Sequence, residues 1–156
     1  MDRLSARYLG DVLEIPTVLL DEELDVPSYA RVGDAGADLV ARLGAIVRAG
    51  GGRALVPTGV RLAIPPGYAG FVQPRSGLAL RHGITLANSP GLIDAGYRDE
   101  IAVIVINTDP VDDFEIRSGD RIAQLVVQRV EEASFVPVSD LPASARGLGG
   151  FGHTGR

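Results

Sequence analysis

Four internal segments and one terminal segment of the chain carry residue types that could bind or transform a phosphorylated ligand. The first, residues 33–39, reads Gly-Asp-Ala-Gly-Ala-Asp-Leu and has two carboxylates at the start of a strand. Acidic residues in a glycine turn usually serve the turn itself. Asp38 could instead hold a water molecule on Mg²⁺, an ion that keeps several waters and needs few direct protein ligands. Both interpretations stay open on the residues alone.

The second segment, residues 74–79 (Pro-Arg-Ser-Gly-Leu-Ala), leaves a strand and begins a short helix. The free backbone amides of a helix start, with the Ser76 hydroxyl beside them, can bind an anion. Helix capping would explain Ser76 equally well. Arg75 favours phosphate binding. A cation at the N-terminus of a helix is disfavoured by the helix dipole, so its presence there indicates an anionic ligand.

The third segment, residues 88–100 (Asn-Ser-Pro-Gly-Leu-Ile-Asp-Ala-Gly-Tyr-Arg-Asp-Glu), lies between two strong strands and is predicted to be a long hairpin. Its backbone could pair with the edge of a base, and the Asn88 amide could add a contact. Tyr97 would lie against a sugar. Asp94 is a lone carboxylate without a histidine beside it, which indicates activation of a water molecule. The alternative is an ordinary polar hairpin tip.

The fourth segment, residues 119–125 (Gly-Asp-Arg-Ile-Ala-Gln-Leu), has one glutamine in an otherwise apolar alternation. If Gln124 faces inward it needs a partner, since burying an unpaired amide costs about 1–3 kcal/mol. A nucleophilic water or a phosphate oxygen would serve. The fifth segment is the glycine-rich tail, where Arg146 could bind phosphate and Phe151 could cover a base. A frayed terminus is the alternative for the tail.

The elements that must position these segments are predicted to be β strands. Residues 14–20, 53–64, 67–73, 84–88, 100–107 and 121–130 are rich in Val and Ile and are separated by turn residues. One short helix is expected at residues 76–81. Six or more strands predict a sandwich or barrel and argue against a doubly wound α/β fold. We expect one domain over residues 1–156, with an N-terminal extension (1–13) and a glycine-rich tail (140–156) that is either a frayed terminus or a flexible flap closing over a site.

Composition excludes several classes of site. The chain has 156 residues, no Cys and two His, which rules out thiol chemistry and argues against a zinc site. The net charge of −5 argues against nonspecific nucleic-acid binding but allows a small phosphorylated ligand. No apolar stretch or leader suits a membrane or export, so we expect a cytoplasmic protein that binds neither nucleic acid nor membrane.

The order of the segments is more informative than any one of them. The series DAGADL, PRSGLA, NSPGLIDAGYRDE, GDRIAQL and RGLGGFG resembles, in sequence and spacing, the five motifs of the trimeric dUTPase family over about residues 34–155. The resemblance implies a distorted jelly-roll or β-barrel homotrimer with sites shared between subunits. It also implies Mg²⁺-dependent hydrolysis of dUTP to dUMP and pyrophosphate, which keeps uracil out of DNA and supplies dUMP for thymidylate synthesis.

By the same resemblance, Asp94 and Gln124 are implied to be catalytic, and Asp38 to hold Mg²⁺ through water while the triphosphate supplies most ligands. The residues implied to bind substrate are Arg75, Ser76, Gly77, Asn88, Leu92, Ile93, Asp94, Tyr97, Ala102, Gln124, Arg146, Phe151 and Thr154. Two positions depart from the family pattern. His153 stands where the tail usually has Ser, and Ala102 is shorter than in some relatives, so its contact would be through the backbone.

Two other functions remain as alternatives. A related dCTP deaminase would need a Glu as general acid and base in the strand after the hairpin, where alignment gives Ile104, which cannot move protons. A bifunctional deaminase-diphosphatase fails on the same absence. An inactive nucleotide-binding trimer is the second alternative, although Asp94, Gln124 and Arg146 are all present.

Overall fold

Short antiparallel strands dominate the chain, which a computed structural model describes for residues 12–144. The strands are β1 (Thr17–Leu19), β2 (Ala37–Val40), β3 (Ala45–Val47), β4 (Arg53–Pro57), β5 (Val60–Leu62), β6 (Tyr68–Gln73), β7 (Ile84–Leu86), β8 (Gly91–Ile93), β9 (Ala102–Asn107), β10 (Phe114–Ile116) and β11 (Arg121–Arg129). One helix, α1 (Ser76–His82), follows β6. The predicted all-β class with one short helix is confirmed.

The strand pairing is nested, which is the signature of a jelly-roll. β2 pairs with β11, β3 with β10 and β4 with β9, so each of these three early strands pairs with a late one. The larger sheet has the order β2-β11-β6-β8, and a second sheet has the order β4-β9-β7. Two-stranded pairs β1-β5 and β3-β10 complete the described fold. Every strand pairing in residues 12–144 is antiparallel, as expected for this architecture.

The core lies between the sheets and is built from the inward residues of each strand. β9 shows the alternation clearly, since Val103 and Val105 are buried and Ile104 is exposed. The longer strands each contribute inward-facing side chains to this core. Each buried Val, Leu or Ile contributes about 1.5–3 kcal/mol to stability relative to an exposed one. The central members of this core are Leu39, Val56, Val60, Ile64, Val72, Ile84, Ile101, Val103, Val105, Ile116 and Leu125.

The strand boundaries differ from the sequence prediction in two ways. Residues 53–64 were predicted to form one strand but form two, β4 and β5, in different sheets. The break falls at Gly59, which has a φ of 73° and sits where a Cβ atom would lie 2.4 Å from Leu24 Cδ1. Three further strands, β3, β8 and β10, have three residues each. Elements this short carry too few alternating positions to be recognised in a sequence.

The segment at residues 88–100 is more than a hairpin tip. Its flanking strands β7 and β9 do pair, with Ile84 opposite Asn107, as a hairpin requires. Within the segment, however, β8 pairs with β6 of the other sheet after a cis peptide bond between Ser89 and Pro90. The predicted simple hairpin is therefore wrong in this respect, because the segment crosses from one sheet to the other.

The two terminal predictions fall mostly outside the described residues. Residues 1–11 of the expected extension and residues 145–156 of the expected flap lie beyond them. Residues 131–144 follow β11 as an exposed segment without helix or strand. In residues 12–144, no helix is long and apolar enough to cross a membrane.

A buried amide at the end of β9 ties three segments together. Asn107 is fully buried, and its Nδ2 donates to the carbonyl oxygens of Val47 (3.0 Å) and Asp112 (2.9 Å). Its Oδ1 accepts from the backbone N–H of Asp109 at 2.9 Å. In the same turn, the N–H groups of Asp112 and Val111 donate to the Asp109 carboxylate and lower its pKa below the usual range. Asn107 thus organises the β9–β10 connection.

We expect Asn107→Asp to destabilise the fold by about 3 kcal/mol, because it removes two donated hydrogen bonds and buries a carboxylate against two carbonyl oxygens. The measurement is the free energy of unfolding in urea. Gln128→Glu makes the same amide-to-acid change on an exposed position of β11 and should cost little. Equal midpoints for the two variants would contradict the assigned role of Asn107.

Candidate active site

A small pocket, here called the hairpin pocket, lies beneath residues 88–97. It has a volume of about 170 Å³. Five of the residues predicted to contact a base and sugar line it, namely Asn88, Leu92, Ile93, Tyr97 and Ala102. The remaining walls are Val72, Leu86, Gly91, Val103 and Ile104. A small pocket that combines aliphatic side chains with one amide, one phenol and exposed backbone groups suits a small planar ring.

Hydrogen bonds close the loop that carries Tyr97. The Tyr97 phenol donates to the carbonyl oxygen of Glu100 at 2.8 Å, and its backbone N–H donates to the carbonyl oxygen of Asp94 at 3.0 Å. Asp94 itself is exposed, directly after β8. Within residues 12–144 its carboxylate contacts no donor, which leaves both oxygens available to a water molecule.

A second and larger pocket, here called the arginine pocket, lies where α1 meets the start of β11. Its volume is about 430 Å³. Four residues predicted to contact phosphate line it, namely Arg75, Ser76, Gly77 and Gln124. Its other lining residues are Leu78, Arg81, Phe114, Gly119, Asp120, Arg121 and Ile122. Three guanidinium groups beside a single carboxylate give a pocket that favours an anion.

The Asp38 carboxylate organises the donors beside this pocket. Its Oδ1 accepts from Arg75 Nη1 and from Gln124 Nε2 (3.4 Å), and its Oδ2 lies 3.4 Å from Arg121 Nη1. Only 12% of the Asp38 side chain is exposed. Gln124 therefore has the partner that an inward-facing amide needs. The structure assigns Asp38 ion-pair contacts, and its predicted contact with hydrated Mg²⁺ stays a prediction.

A bulge in β11 puts Arg121 and Gln124 on the same face. Residues three apart in a regular strand point to opposite faces. Here Arg121 pairs with Val40 while Ala123 pairs with Leu39, so one extra residue is inserted. Ile122 and Ala123 are consequently both buried, and the side chains of Arg121 and Gln124 both reach Asp38. Bulges commonly redirect side chains in this way beside functional sites.

The small residues of the first motif make room for this arrangement. A Cβ atom on Gly36 would lie 2.9 Å from Gln124 Cβ, so a larger residue would displace the glutamine. The two acidic residues of the motif have different roles. Asp34 accepts from the backbone N–H of Arg31 at 2.9 Å, which is ordinary turn chemistry, whereas Asp38 faces the pocket.

The geometry at the start of α1 decides whether Ser76 of the second motif caps the helix. The residue at the N-cap is Arg75, with extended backbone angles and no side-chain hydrogen bond to the helix. Ser76 is the first helical residue and is exposed. The capping interpretation of Ser76 is therefore wrong, and its hydroxyl is available to a ligand.

Sequence reasoning missed two of the arginines in this pocket. Arg81 follows Gly77 by four residues on α1, so helical spacing could have placed it on the same face. A Cβ atom at Gly77 would lie 2.9 Å from Arg81 Nη2. Arg121 stands in the same motif as Gln124, but regular strand alternation predicts opposite faces for the pair. No local sequence pattern predicts the bulge.

Asp94 and the arginine pocket lie apart in a single chain. β8 runs antiparallel to β6, with Gly91 opposite Val72 and Ile93 opposite Gly70. Asp94 therefore lies toward the beginning of β6, whereas Arg75 follows its end. Five residues of extended chain from Gly70 to Arg75 span roughly 15 Å. The lining residues of the hairpin pocket and the arginine pocket have no member in common.

Comparison with known proteins identifies a family. The family model described as dUTPase matches residues 22–155. The deoxyuridine 5'-triphosphate nucleotidohydrolase of Thermobifida fusca is 59% identical over 136 residues, which cover 87% of this chain and 75% of that protein. The protein of the same name from Cutibacterium acnes is 54% identical over 147 residues, covering 94% of each chain.

Solved structures share the fold at lower sequence identity. The Staphylococcus bacteriophage 80alpha dUTPase with dUPNHPP superposes with a TM-score of 0.85 at 24% identity, covering 93% of this chain and 100% of that one. A mutant dUTPase from phage phi11 of S. aureus, studied for the coordination of a structural Mg(II) ion, has a TM-score of 0.75 at 22% identity. It covers 82% of this chain and 98% of its own.

We expect Arg75→Gln to weaken the binding of inorganic pyrophosphate on the order of tenfold, because a charge-assisted hydrogen bond to the anion is lost. Isothermal titration calorimetry at low ionic strength is the measurement, since salt screens such contacts. Arg53→Gln removes an exposed arginine on β4, outside the pocket, and serves as the control. The same loss in both variants would show a general charge effect and would contradict a specific site.

Proposed function

The chain belongs to the dUTPase family, and from this membership we infer that it hydrolyses dUTP to dUMP and pyrophosphate. The observation that carries this function at the site is the separation of its predicted residues into two complementary pockets. One is small and lined by aliphatic side chains with an amide and a phenol, and the other is lined by three guanidinium groups. A nucleoside triphosphate has the same two chemical parts.

The hairpin pocket suits uracil and deoxyribose. We propose that the Asn88 amide and the backbone of β8 pair with the uracil edge, while Leu92 and Ile93 contribute to the closed pocket. The Tyr97 ring would lie against the sugar and exclude a ribose 2′-hydroxyl. Ala102, whose side chain has only one carbon, would contribute through its backbone. The lining of the pocket by all five residues supports this proposal.

The arginine pocket suits the phosphates. Arg75, Ser76, Gly77 and Gln124 would donate hydrogen bonds from a guanidinium, a hydroxyl, a backbone N–H and an amide. The ion pair between Arg75 and Asp38 supports a fixed direction for the guanidinium before substrate arrives. Donors that are already oriented need no reorganisation in the transition state.

We propose that each complete site combines pockets from different subunits of a homotrimer. The separation of roughly 15 Å along β6 supports this proposal, because the α-phosphate that Asp94 would face lies beside the sugar. Arg75 of the same chain is therefore poorly placed for that triphosphate. A neighbouring subunit would present its arginine pocket to the hairpin pocket, as cyclic assemblies allow.

The proposed reaction is an in-line attack by water. Asp94 orients the water and accepts its proton, the water oxygen forms a bond to the α-phosphorus, and the bond to the bridging oxygen breaks. Pyrophosphate leaves with the bonding electron pair, and no covalent enzyme intermediate forms. Gln124 and the arginines stabilise charge on the phosphates, and positioning supplies much of the rate. Within residues 12–144 no donor contacts the exposed carboxylate of Asp94, which supports its role as base.

Mg²⁺ is the cofactor that we propose, held mainly by the triphosphate. In residues 12–144 no cluster of three His, Asp or Glu side chains could hold a metal ion directly. The single carboxylate of Asp38, already paired with Arg75, fits a contact through water. When bound, the ion neutralises phosphate charge.

The tail completes the proposal. Arg146 would contact the γ-phosphate, Phe151 would stack on the uracil, and Thr154 would add a hydroxyl contact. All three lie outside the described residues, so these roles rest on the motif RGLGGFG and the family match through residue 155. The flap at residues 140–156 and the single domain remain parts of the proposal.

The deaminase alternative loses support at one position. Ile104 is exposed on β9 and lines the hairpin pocket, where the deaminase needs a carboxylate. An isoleucine can neither accept nor donate the proton. An inactive nucleotide-binding trimer differs from the proposed enzyme only in turnover, so activity measurements separate the two.

We expect pyrophosphate release with Mg²⁺ from dUTP and little from dCTP, dTTP or UTP. Asp94→Asn should lower kcat for dUTP at least a hundredfold, because it removes the general base while keeping the shape of the side chain. A coupled pyrophosphate assay measures both results.

Asp112→Asn is the matched control for Asp94→Asn, since it neutralises an exposed carboxylate in a turn away from both pockets. It should keep wild-type activity. An Asp94→Asn variant as active as this control would contradict the assigned base, and ammonia release from dCTP would instead support the deaminase.

The tail is testable by fluorescence because the chain has no Trp. In Phe151→Trp the single indole should be quenched by a nonhydrolysable dUTP analogue, since it would stack on the uracil. Inorganic triphosphate should have little effect. Phe135→Trp reports from an exposed position of the described chain and should not respond. An equal response to both ligands would count against stacking by residue 151.

A further inference from the structure

Glu100 connects the loop that carries Tyr97 to the body of the fold. Its Oε1 accepts from Arg42 Nε (3.0 Å) and from the backbone N–H of Gly59 (2.7 Å), and its Oε2 accepts from Arg42 Nη2 (3.0 Å). The backbone carbonyl oxygen of the same residue accepts from the Tyr97 phenol at 2.8 Å. One residue therefore receives contacts from three separate segments.

The partners of Glu100 are themselves fixed. The backbone N–H of Arg42 donates to the carbonyl oxygen of Pro57 (2.8 Å), and the carbonyl oxygen of Arg42 accepts from Ser118 Oγ (2.8 Å). The side chains of Arg42 and Glu100 are 27% and 19% exposed, so water screens their fork-shaped contact only in part. The Arg42–Glu100 ion pair therefore holds the Glu100 side chain at the end of the loop that carries Tyr97.

The other residues of the loop have looser connections. Asp94 and Tyr97 are exposed, and the Arg98 side chain donates to carbonyl oxygens of Ala95 and Tyr97 within the loop itself. The Arg98 carbonyl oxygen accepts from Arg61 Nε of β5 at 2.7 Å, which is a second connection to the body of the fold.

The Tyr97 side chain reaches the base of the loop through its phenol contact with Glu100. The residue that carries this carbonyl oxygen is held on one side by the Arg42 and Gly59 contacts of the Glu100 carboxylate, and on the other by the Ile101 N–H, which donates to the carbonyl oxygen of Val60 at 2.9 Å.

We propose that Arg42 and Glu100 are positioning residues that set the sugar specificity of the site. By holding the carbonyl oxygen of Glu100, they fix the Tyr97 ring where it leaves room for deoxyribose and none for a 2′-hydroxyl. This inference rests on the proposed function, in which Tyr97 lies against the sugar. Neither residue touches the substrate, and both act through Tyr97.

The mechanism of discrimination is steric and therefore sensitive to small displacements. A ring that moves by about 1 Å opens space comparable to that of a hydroxyl group, and misplacement on this scale changes rates by up to about a hundredfold. Loosening the anchor should make UTP a better substrate while the reaction with dUTP keeps its chemistry. A purely stabilising ion pair would change the unfolding midpoint and leave the preference unchanged.

The test is the ratio of kcat/KM for dUTP to that for UTP, measured for wild type and Glu100→Gln. Glutamine keeps the size of the side chain but loses the charge and the two-oxygen contact with Arg42. We expect the ratio to fall on the order of tenfold, mainly through a lower KM for UTP, with kcat for dUTP nearly unchanged. A ratio equal to that of wild type would overturn the proposal.

Three further single variants and one double variant serve as controls for this test. Asp113→Asn breaks the ion pair between Arg48 and Asp113, which lies outside both pockets, and should keep the wild-type ratio. Tyr97→Phe removes the phenol contact, and combining it with Glu100→Gln should give no further loss, because both act through one contact. Additive losses would show that Glu100 does not act through Tyr97. If Glu100→Gln fails to fold, Arg42→Lys keeps the charge, loses the fork, and should give a smaller fall.

The wild-type protein separates this inference from the proposed function. A wild type that releases no pyrophosphate from dUTP would overturn the proposed function and the inference with it. A wild type that prefers dUTP, with Glu100→Gln retaining the same preference, would overturn the inference alone.

Discussion

The antiparallel pairing of β6 with β8 is the constraint on which the rest of the site depends. It places Asp94, which follows β8, toward the beginning of β6, while the chain delivers Arg75 after the end of β6, roughly 15 Å away. In a single copy, Asp94 is therefore distant from the pocket that we propose binds phosphate. The proposed composite site follows from this separation, because one short substrate must reach both Asp94 and that pocket at once.

The positive charge of the arginine pocket is partly neutralised by carboxylates before any ligand binds. The chain carries a net charge of −5, yet three arginines line this pocket. Asp38 holds Arg75 and Arg121 through its two oxygens and also receives the Gln124 amide. Three arginines outnumber the two carboxylates, Asp120 in the lining and Asp38 beside it, so the pocket still favours an anion while Asp38 fixes the donors in place. This suits a reaction whose rate comes from positioning and electrostatics.

The sequence allowed the fold class and nine of the residues that line the two pockets to be predicted, because turn residues, strand alternation and motif spacing are local. Asn88, Leu92, Ile93, Tyr97 and Ala102 were expected together and do line one pocket. The bulge at Ile122 could not be predicted, since it depends on the pairing of β11 with β2, and so Arg121 was missed. The three-residue strands and the crossing of β8 to the other sheet likewise depend on distant partners. The ion pairs of Asp38 and Glu100 join residues 37 and 58 positions apart, which no local pattern reveals.

The most direct test of this account is complementation between two impaired variants. Asp94→Asn and Arg75→Ala should each lose most dUTP hydrolysis, because each damages a different half of every site. After unfolding and refolding together in equal amounts, random assembly should give mixed trimers in which about a quarter of the sites have both halves intact. The account predicts that about this fraction of wild-type activity returns. Activity no higher than the average of the separately refolded variants would contradict a site shared between subunits.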